Sequence, residues 1–348
     1  MIKKVPILGV GILILFLGSF AIWFSLKSAY SQHTNLSHLG KWSLSYKSPN
    51  LGSSSTFLSD NAMSCPSTRF CMAVSLSGKA IHWNGSHWST PIVIDTAARN
   101  ITRSSPVTTL SSVSCSSAKF CMAVDTQGNV FRWNGSTWSK GVLPIKFSKG
   151  TYVDSISCPS QTFCMAAELA GKIFKWNGST WSKSAALSPL LAIESVSCSS
   201  TTFCMAISNT TGDMIRWNGS TWSQFKLGSR IHNFSSISCP TSKFCMTVGN
   251  QGNVVRWNRS TWKSFSLNHQ IKTFSFLSCP STKFCMTIGP LIKPANIISE
   301  TYIWNGSTWK KIPSPNQANE VYSLSCPSTK LCLAGSGSGS KIVEFKAA

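Results

Sequence analysis

Large and small apolar residues alternate one for one in six short stretches of this chain. The large positions are Phe70/Met72/Val74, Phe120/Met122/Val124, Phe163/Met165, Phe203/Met205/Ile207, Phe244/Met246/Val248 and Phe284/Met286/Ile288. The positions between them are small, as in Cys121/Ala123, Cys164/Ala166 and Cys245/Thr247. Side chains alternate faces along a strand, so each stretch predicts a strand with one bulky and one shallow face. Neither face is strongly polar, so both are expected to be buried. Stacking the bulky face of one sheet on the shallow face of the next satisfies both.

Three further strands accompany each of these. In Ser155–Leu187 the predicted strands are A (Ser155–Cys158), B (Phe163–Ala167), C (Lys172–Trp176) and D (Thr180–Lys183), with no room for a helix. Pro159-Ser160 turns A into B, and Gly171 precedes C. Asn177-Gly178 turns C into D, either as a tight hairpin or within a longer loop between the flanking tryptophans. The longer loop is suggested by the fifth copy, where Arg259 replaces the glycine. The hexapeptide Trp-Asn-Gly-Ser-Thr-Trp stands at 133–138, 176–181, 217–222 and 304–309, with variants at 83–88 and 257–262. Its rings are expected to pack between neighbouring units, the alternative being an aromatic platform for sugars.

Fourteen cysteines fall into seven C-x5-C pairs: Cys65 with Cys71, Cys115 with Cys121, Cys158 with Cys164, Cys198 with Cys204, Cys239 with Cys245, Cys279 with Cys285 and Cys326 with Cys332. Successive pairs begin 40 to 50 residues apart, the length of a four-stranded propeller blade. Seven such sheets in a ring leave no exposed end face, so the predicted fold is an all-β, seven-bladed β-propeller over residues 31–348. The seventh unit lacks strand D because the chain ends after Lys341–Phe345. Gly40–Tyr46 resembles the missing piece, and Trp42 is the one array tryptophan outside the hexapeptides. Lys41–Leu44 is therefore expected to pair with Lys341–Phe345 and close the ring, removing two free sheet edges.

Each cysteine pair spans an A–B hairpin, where a cross-strand bridge is feasible. Seven local disulfides, each contributing about 2 kcal/mol, imply an oxidising compartment. Zinc is disfavoured: the six histidines do not follow the repeat, and zinc pairs are usually closer in sequence.

Residues 5–24 are uncharged and largely apolar, behind Lys3 and Lys4. About 20 such residues can span a bilayer, so residues 1–30 are expected to be a signal-anchor with the propeller outside the cell. The alternative is secretion after cleavage near Ser19-Phe20-Ala21. The net charge of +22 gives solubility and attraction to anionic envelope polymers. A basic chain outside the cell has no nucleic acid to meet, and the expected state is a monomer.

The A–B and C–D turns occupy one face of such a disc and barely vary. Length variation falls on the other face, in Pro91–Leu110, Val142–Tyr152 and the enlarged B–C loop Gly289–Tyr302. Repeat proteins commonly carry such insertions on their binding face. The candidate binding residues are Arg99, Arg103, Lys146, Lys149, Tyr152, Lys293, Glu300 and Tyr302. No hydrolase, metalloprotease or phosphate-loop motif is present, and no cofactor is implied. Glu300, Tyr302, Glu320 and Tyr322 carry the alternative of a sialidase-like site with a tyrosine nucleophile.

Ser112–Ser139, SVSCSSAKFCMAVDTQGNVFRWNGSTWS, resembles the cysteine-containing propeller repeats of secreted or anchored bacterial proteins. Asn-Gly-Ser-Thr-Trp is similar to the Asp-box turn of sialidases and of the photosystem II stability/assembly factor family, with Asn in place of Asp. The resemblance implies a propeller over residues 40–348. The expected function is non-enzymatic binding of a partner protein or an envelope polysaccharide, with a glycoside hydrolase as the alternative.

Overall fold

A computed structural model describes residues 40–47, 63–99, 108–144, 151–188, 191–226, 233–267, 274–292, 297–315, 321–336 and 341–348. Among the described residues the strands form seven antiparallel sheets of four. The A strands of successive sheets contact one another in a closed ring, the last against the first. The fold is a seven-bladed propeller with A innermost and D outermost. In the third blade A runs Val153–Ser160, B Phe163–Glu168, C Lys172–Trp176 and D Trp181–Ala186. A is thus two residues longer at each end than its pattern suggests. D begins at the second tryptophan and runs on to Ala186.

The strand alternation explains the stacking. Phe120, Met122 and Val124 of blade two pack on Cys164, Ala166 and Phe174 of blade three. The same large-on-small contact recurs at the junctions headed by Phe70, Phe163, Phe203, Phe244 and Phe284, and Leu333 of blade seven meets Cys71 and Ala73 of blade one. Every B residue from Phe163 to Glu168 is buried.

Blade seven is completed from both ends of the chain. Its sheet order places Lys41–Lys47 beside Lys341–Lys346, with Trp42 paired to Phe345. The two rings are 5.4 Å apart.

The expected disulfides are all formed, each within its own A–B hairpin. Cys65 is bonded to Cys71, Cys115 to Cys121, Cys158 to Cys164 and Cys198 to Cys204. Cys239 is bonded to Cys245, Cys279 to Cys285 and Cys326 to Cys332. The Cα separations are 4.0–4.1 Å, slightly under the usual range for a bridge. The B-strand partners Cys204, Cys285 and Cys332 are fully buried. There they form part of the shallow face on which Phe163, Phe244 and Phe284 of the preceding blades rest.

A second staple accompanies the disulfides. The backbone N–H of each blade's first cysteine donates to the serine hydroxyl that precedes the equivalent cysteine one blade earlier. The bonds run Cys115 to Ser64, Cys158 to Ser114, Cys198 to Ser157, Cys239 to Ser197, Cys279 to Ser238, Cys326 to Ser278 and Cys65 to Ser325, at 2.9–3.0 Å. Neighbouring A strands do not share a backbone ladder, so an inward-edge N–H needs a side-chain acceptor. The serine supplies it, and the seven bonds form a closed belt.

One open alternative is decided and one expectation is corrected. Asn177-Gly178 is not a two-residue hairpin: Trp176 pairs directly with Trp181, leaving a four-residue loop. Asn177 Oδ1 accepts from the N–H groups of Ser179 and Thr180 at 3.0 and 2.9 Å, and only the glycine takes a positive φ, 101°. The insertion in blade six is not an enlarged loop. It continues strands B and C as a ribbon, pairing Gly289 with Glu300, Pro290 with Ser299, Leu291 with Ile298 and Ile292 with Ile297. The stem is apolar and β-branched, which favours pairing over an open loop.

Candidate binding surfaces

The hairpin face is occupied by structural work. In five of the six pairs the first tryptophan donates its indole N–H to the A–B turn of its own blade, as Trp133 to Ala118 O at 3.0 Å and Trp217 to Thr201 O at 3.0 Å, while the buried indole N–H of Trp257 has no partner among the described residues. Two of the second tryptophans reach the preceding blade, Trp222 donating to Ser184 Oγ at 3.1 Å and Trp88 to Ser45 Oγ at 3.3 Å, whereas the buried indole N–H groups of Trp138, Trp262 and Trp309 have no hydrogen-bond partner among the described residues. Paired indoles lie 5.2–5.9 Å apart. The rings are therefore mortar between blades.

Part of the positive charge has the same use. The residue before the first tryptophan lies over the ring of the next blade: Lys175 over Trp217 at 5.6 Å, Arg256 over Trp304 at 5.4 Å, Arg132 over Trp176 at 6.0 Å. These are cation–π contacts across blade junctions. His82 holds the position in blade one, between Phe70 and Trp133 at 6.0 and 5.7 Å. Burial, with the nearby His87, lowers its pKa. The repeated Lys/Arg/His-Trp dipeptide is the sequence signal for this role.

The acidic residues turn inward. Of ten in the chain, Asp95, Asp125, Glu168, Asp213 and Glu300 are buried. Asp125 Oδ1 accepts from Gln127 N at 2.9 Å and Asn129 N at 2.7 Å, shaping a B–C turn. Burial nonetheless raises its pKa. Glu168 pairs with Lys172 at 3.1 Å. Asp213 accepts from Gln224 Nε2 at 2.8 Å. With these acids inside, the outward-facing charge is dominated by lysine and arginine.

On the variable face, Arg103, Lys146, Lys149 and Lys293 lie outside the described residues, as does Glu320. Arg99 ends a short 3-10 turn, Ala97–Arg99. Tyr152 is 38% exposed. Glu300 and Tyr302 come together but inside blade six, 3% and 8% exposed. Tyr302 Oη donates to Glu300 Oε2 at 2.9 Å, Lys311 forms an ion pair with Glu300, and Phe274 meets the Tyr302 ring edge-on. Both sit on strand C, the third strand from the axis. That geometry makes a buried clamp at the root of the ribbon rather than an accessible nucleophile. Tyr322 stands on strand A of blade seven rather than on their strand. Two acids absent from the expected set, Asp154 and Glu194, stand on neighbouring A strands. Burial raises the Glu194 pKa, while the Asn209 amide, donating at 3.1 Å, opposes the rise.

A cavity of about 400 Å³ opens elsewhere, between the outer strands of blade two and the tryptophan hairpin of blade three. Its walls include Arg132, Lys140, Gly141, Trp176 and Trp181. Among the described residues no group of three or more His, Cys, Asp or Glu is arranged to hold a metal ion.

Comparison with solved structures bears on the architecture. "YCF48 bound to D1 peptide" superposes with a TM-score of 0.63 at 13% identity, covering 89% of this chain and 95% of that one. The fold is shared. "YCF48 from Cyanidioschyzon merolae" gives 0.61 at 12% identity over 88% and 98%, and "Structure of U3-55K" gives 0.66 at 13% over 88% and 97%. At such identities the likeness is one of propeller architecture, and fold and function are separable. No protein-family model matches the chain, and no curated protein matches it.

Proposed function

We propose that this chain is a non-enzymatic binding module that presents its variable face to a partner protein outside the cytoplasm. The observation that carries this reading is the ribbon of blade six. Its four extra pairs, Gly289–Ile292 against Ile297–Glu300, reach roughly 13 Å beyond the common blade length at about 3.3 Å per residue. The ribbon is rooted by the buried Glu300–Tyr302–Lys311 clamp. A strand-paired projection on an otherwise repetitive disc is an added feature suited to recognition.

The inward acids leave a basic exterior suited to an acidic partner. A propeller of this architecture holding a peptide, YCF48 with D1 peptide, is a precedent for a polypeptide ligand. The disulfides fit an oxidising location. The apolar segment 5–24, outside the described residues, is read as a signal-anchor. Among the described residues no helix is long and apolar enough to cross a membrane.

The test is capture from an envelope extract by the full chain and by a variant carrying Arg103→Glu, Lys146→Glu and Lys149→Glu. The expected result is a discrete polypeptide retained by the native chain, released by salt and lost from an equally stable variant. Equal capture by both would remove the variable face from the account. Retention only on cell-wall polymer would favour an anionic polysaccharide ligand. Hydrolysis of chromogenic glycosides, abolished by Glu300→Gln or Glu320→Gln, would replace the binder with a glycosidase.

A further inference from the structure

Each outer strand carries one residue opposite the third position before the first tryptophan, or its counterpart, on strand C. These residues are Ile92, Gly141, Ala185, Phe225, Phe265, Ile312 and, in the split blade, Tyr46. At Tyr46, Phe225, Phe265 and Ile312 the position faces the next blade's outer aromatic residues, whereas Ile92 is exposed. Phe265 meets Trp304 edge-on at 5.8 Å and Tyr46 meets Trp88 at 6.2 Å. Phe225 packs with Trp257 and Trp262, and Ile312 packs with Trp42. Blade two alone has no side chain here. A Cβ built on Gly141 would find its nearest neighbour, Val130 O, 4.0 Å away, so the space is open. The cavity beside Trp176 and Trp181 is the gap this leaves.

The neighbours of that gap match those that hold a phenyl ring in other blades. Arg216 lies over Phe225 at 5.2 Å, and Arg256 over Phe265 at 5.8 Å. Their counterpart in blade two is Arg132, one residue before Trp133 as Arg216 precedes Trp217 and Arg256 precedes Trp257. Arg132 lines the cavity together with Lys140; it lies over Phe120 at 5.7 Å and Trp176 at 6.0 Å, but position 141 offers it no phenyl ring. A benzene molecule fits a cavity of about 150 Å³, so this one admits a phenyl ring with part of its backbone.

We propose that the crevice between blades two and three receives a phenylalanine side chain of a partner polypeptide, flanked by acidic residues that meet Arg132 and Lys140. The partner ring takes the place that Phe225 and Phe265 fill from within the chain. It stacks on Trp181 under the Arg132 guanidinium, a geometry that favours aromatic over aliphatic side chains. The crevice includes Val142, the first residue of the variable Val142–Tyr152 connection, but Gly141→Phe fills it without altering the charges of the variable face.

The test is calorimetric titration of the full chain with acetyl-Glu-Phe-Glu-Glu-amide and with the same peptide carrying alanine in place of phenylalanine. The phenylalanine peptide is expected to bind at least about tenfold more tightly, one decade being about 1.4 kcal/mol. Gly141→Phe plugs the crevice internally and is expected to abolish binding without lowering thermal stability. Arg132→Gln is expected to weaken binding severalfold. Equal binding of the two peptides, or undiminished binding by the Gly141→Phe chain, would overturn the proposal. So would a uronic-acid oligosaccharide that binds and is blocked by Gly141→Phe while the phenylalanine peptide does not bind.

Discussion

The backbone N–H of Cys65 donates to Ser325 Oγ at 3.0 Å across 260 positions of sequence, joining the first blade to the last. The bond is one member of a belt whose other six link blades adjacent in sequence. Removing the hydroxyl strands an N–H between two blades, which typically costs about 1–3 kcal/mol. Ser325→Ala should lower unfolding stability by about 1–2 kcal/mol, toward the low end of that range because the site is only part-buried. Ser157→Ala, which removes the acceptor for Cys198, should cost a similar amount. Urea titration of both variants checks this; a Ser325→Ala chain as stable as the native one would show that the belt does not load the closure.

Arg259 has φ = 89° where five other copies of the loop use glycine. A side chain in that region of backbone space is strained by contact of Cβ with the following carbonyl. Its loop neighbours keep their role: Thr261 N donates to Asn258 Oδ1 at 2.9 Å. Arg259→Gly should therefore raise stability by about 1 kcal/mol. Gly178→Arg, placed on the matching φ of 101°, should lower it by a comparable amount. Opposite signs in paired thermal melts are the expected outcome; a destabilised Arg259→Gly chain would contradict the strain argument.

His82 predicts a pH dependence of defined sign. Its pKa is lowered in the folded chain, chiefly by burial and then by His87, so the unfolded chain takes up the proton first. Stability from this site is full above the unfolded value, about 6.5, and is lost as pH falls from there toward the folded value. His82→Phe keeps an aromatic ring between Phe70 and Trp133 and should flatten that slope. Asp125 acts with the opposite sign. Its folded pKa is raised by burial, so its contribution is full below about 3.9 and declines as pH rises toward the folded value. Unfolding midpoints across a range of about pH 3–8, which brackets both unfolded values, separate the two when the native chain is compared with His82→Phe. An unchanged slope near neutrality in the variant would exclude His82 as its source.

The parts of the fold legible in the sequence were those that every unit repeats. Phe163, Met165 and their shallow partners Cys164 and Ala166 marked a strand buried on both faces, and the C-x5-C spacing showed where a bridge fits. Trp42 announced the displaced outer strand because it alone lacked a hexapeptide. Less visible was chemistry shared between units. The serine before the first cysteine of each pair looks like a turn residue until its hydroxyl is seen accepting from the next blade. The cation before Trp133, Trp176 and Trp257 looks like solvated charge until it lies over a ring of the next blade. Blade six misled for a different reason: insertion length suggested a loop, whereas Leu291, Ile292, Ile297 and Ile298 favour strand pairing. The candidate face was inferred from length variation, which marks where change is tolerated. It could not single out Gly141, whose meaning depends on Phe225 and Phe265 occupying the matching place in other blades.

The ring is closed by its two termini, and positions 43 and 344 offer a covalent probe of that closure. Ser43 pairs with Glu344 in the last sheet, and Ser43 Oγ donates to Glu344 Oε1 at 3.2 Å. In a chain carrying Ser43→Cys and Glu344→Cys, oxidised as a monomer and mapped by mass spectrometry without reductant, one cross-linked peptide should join the two positions. The seven native C-x5-C bridges should persist beside it. Free thiols at both positions in a folded chain, or links to other cysteines only, would contradict the closed propeller.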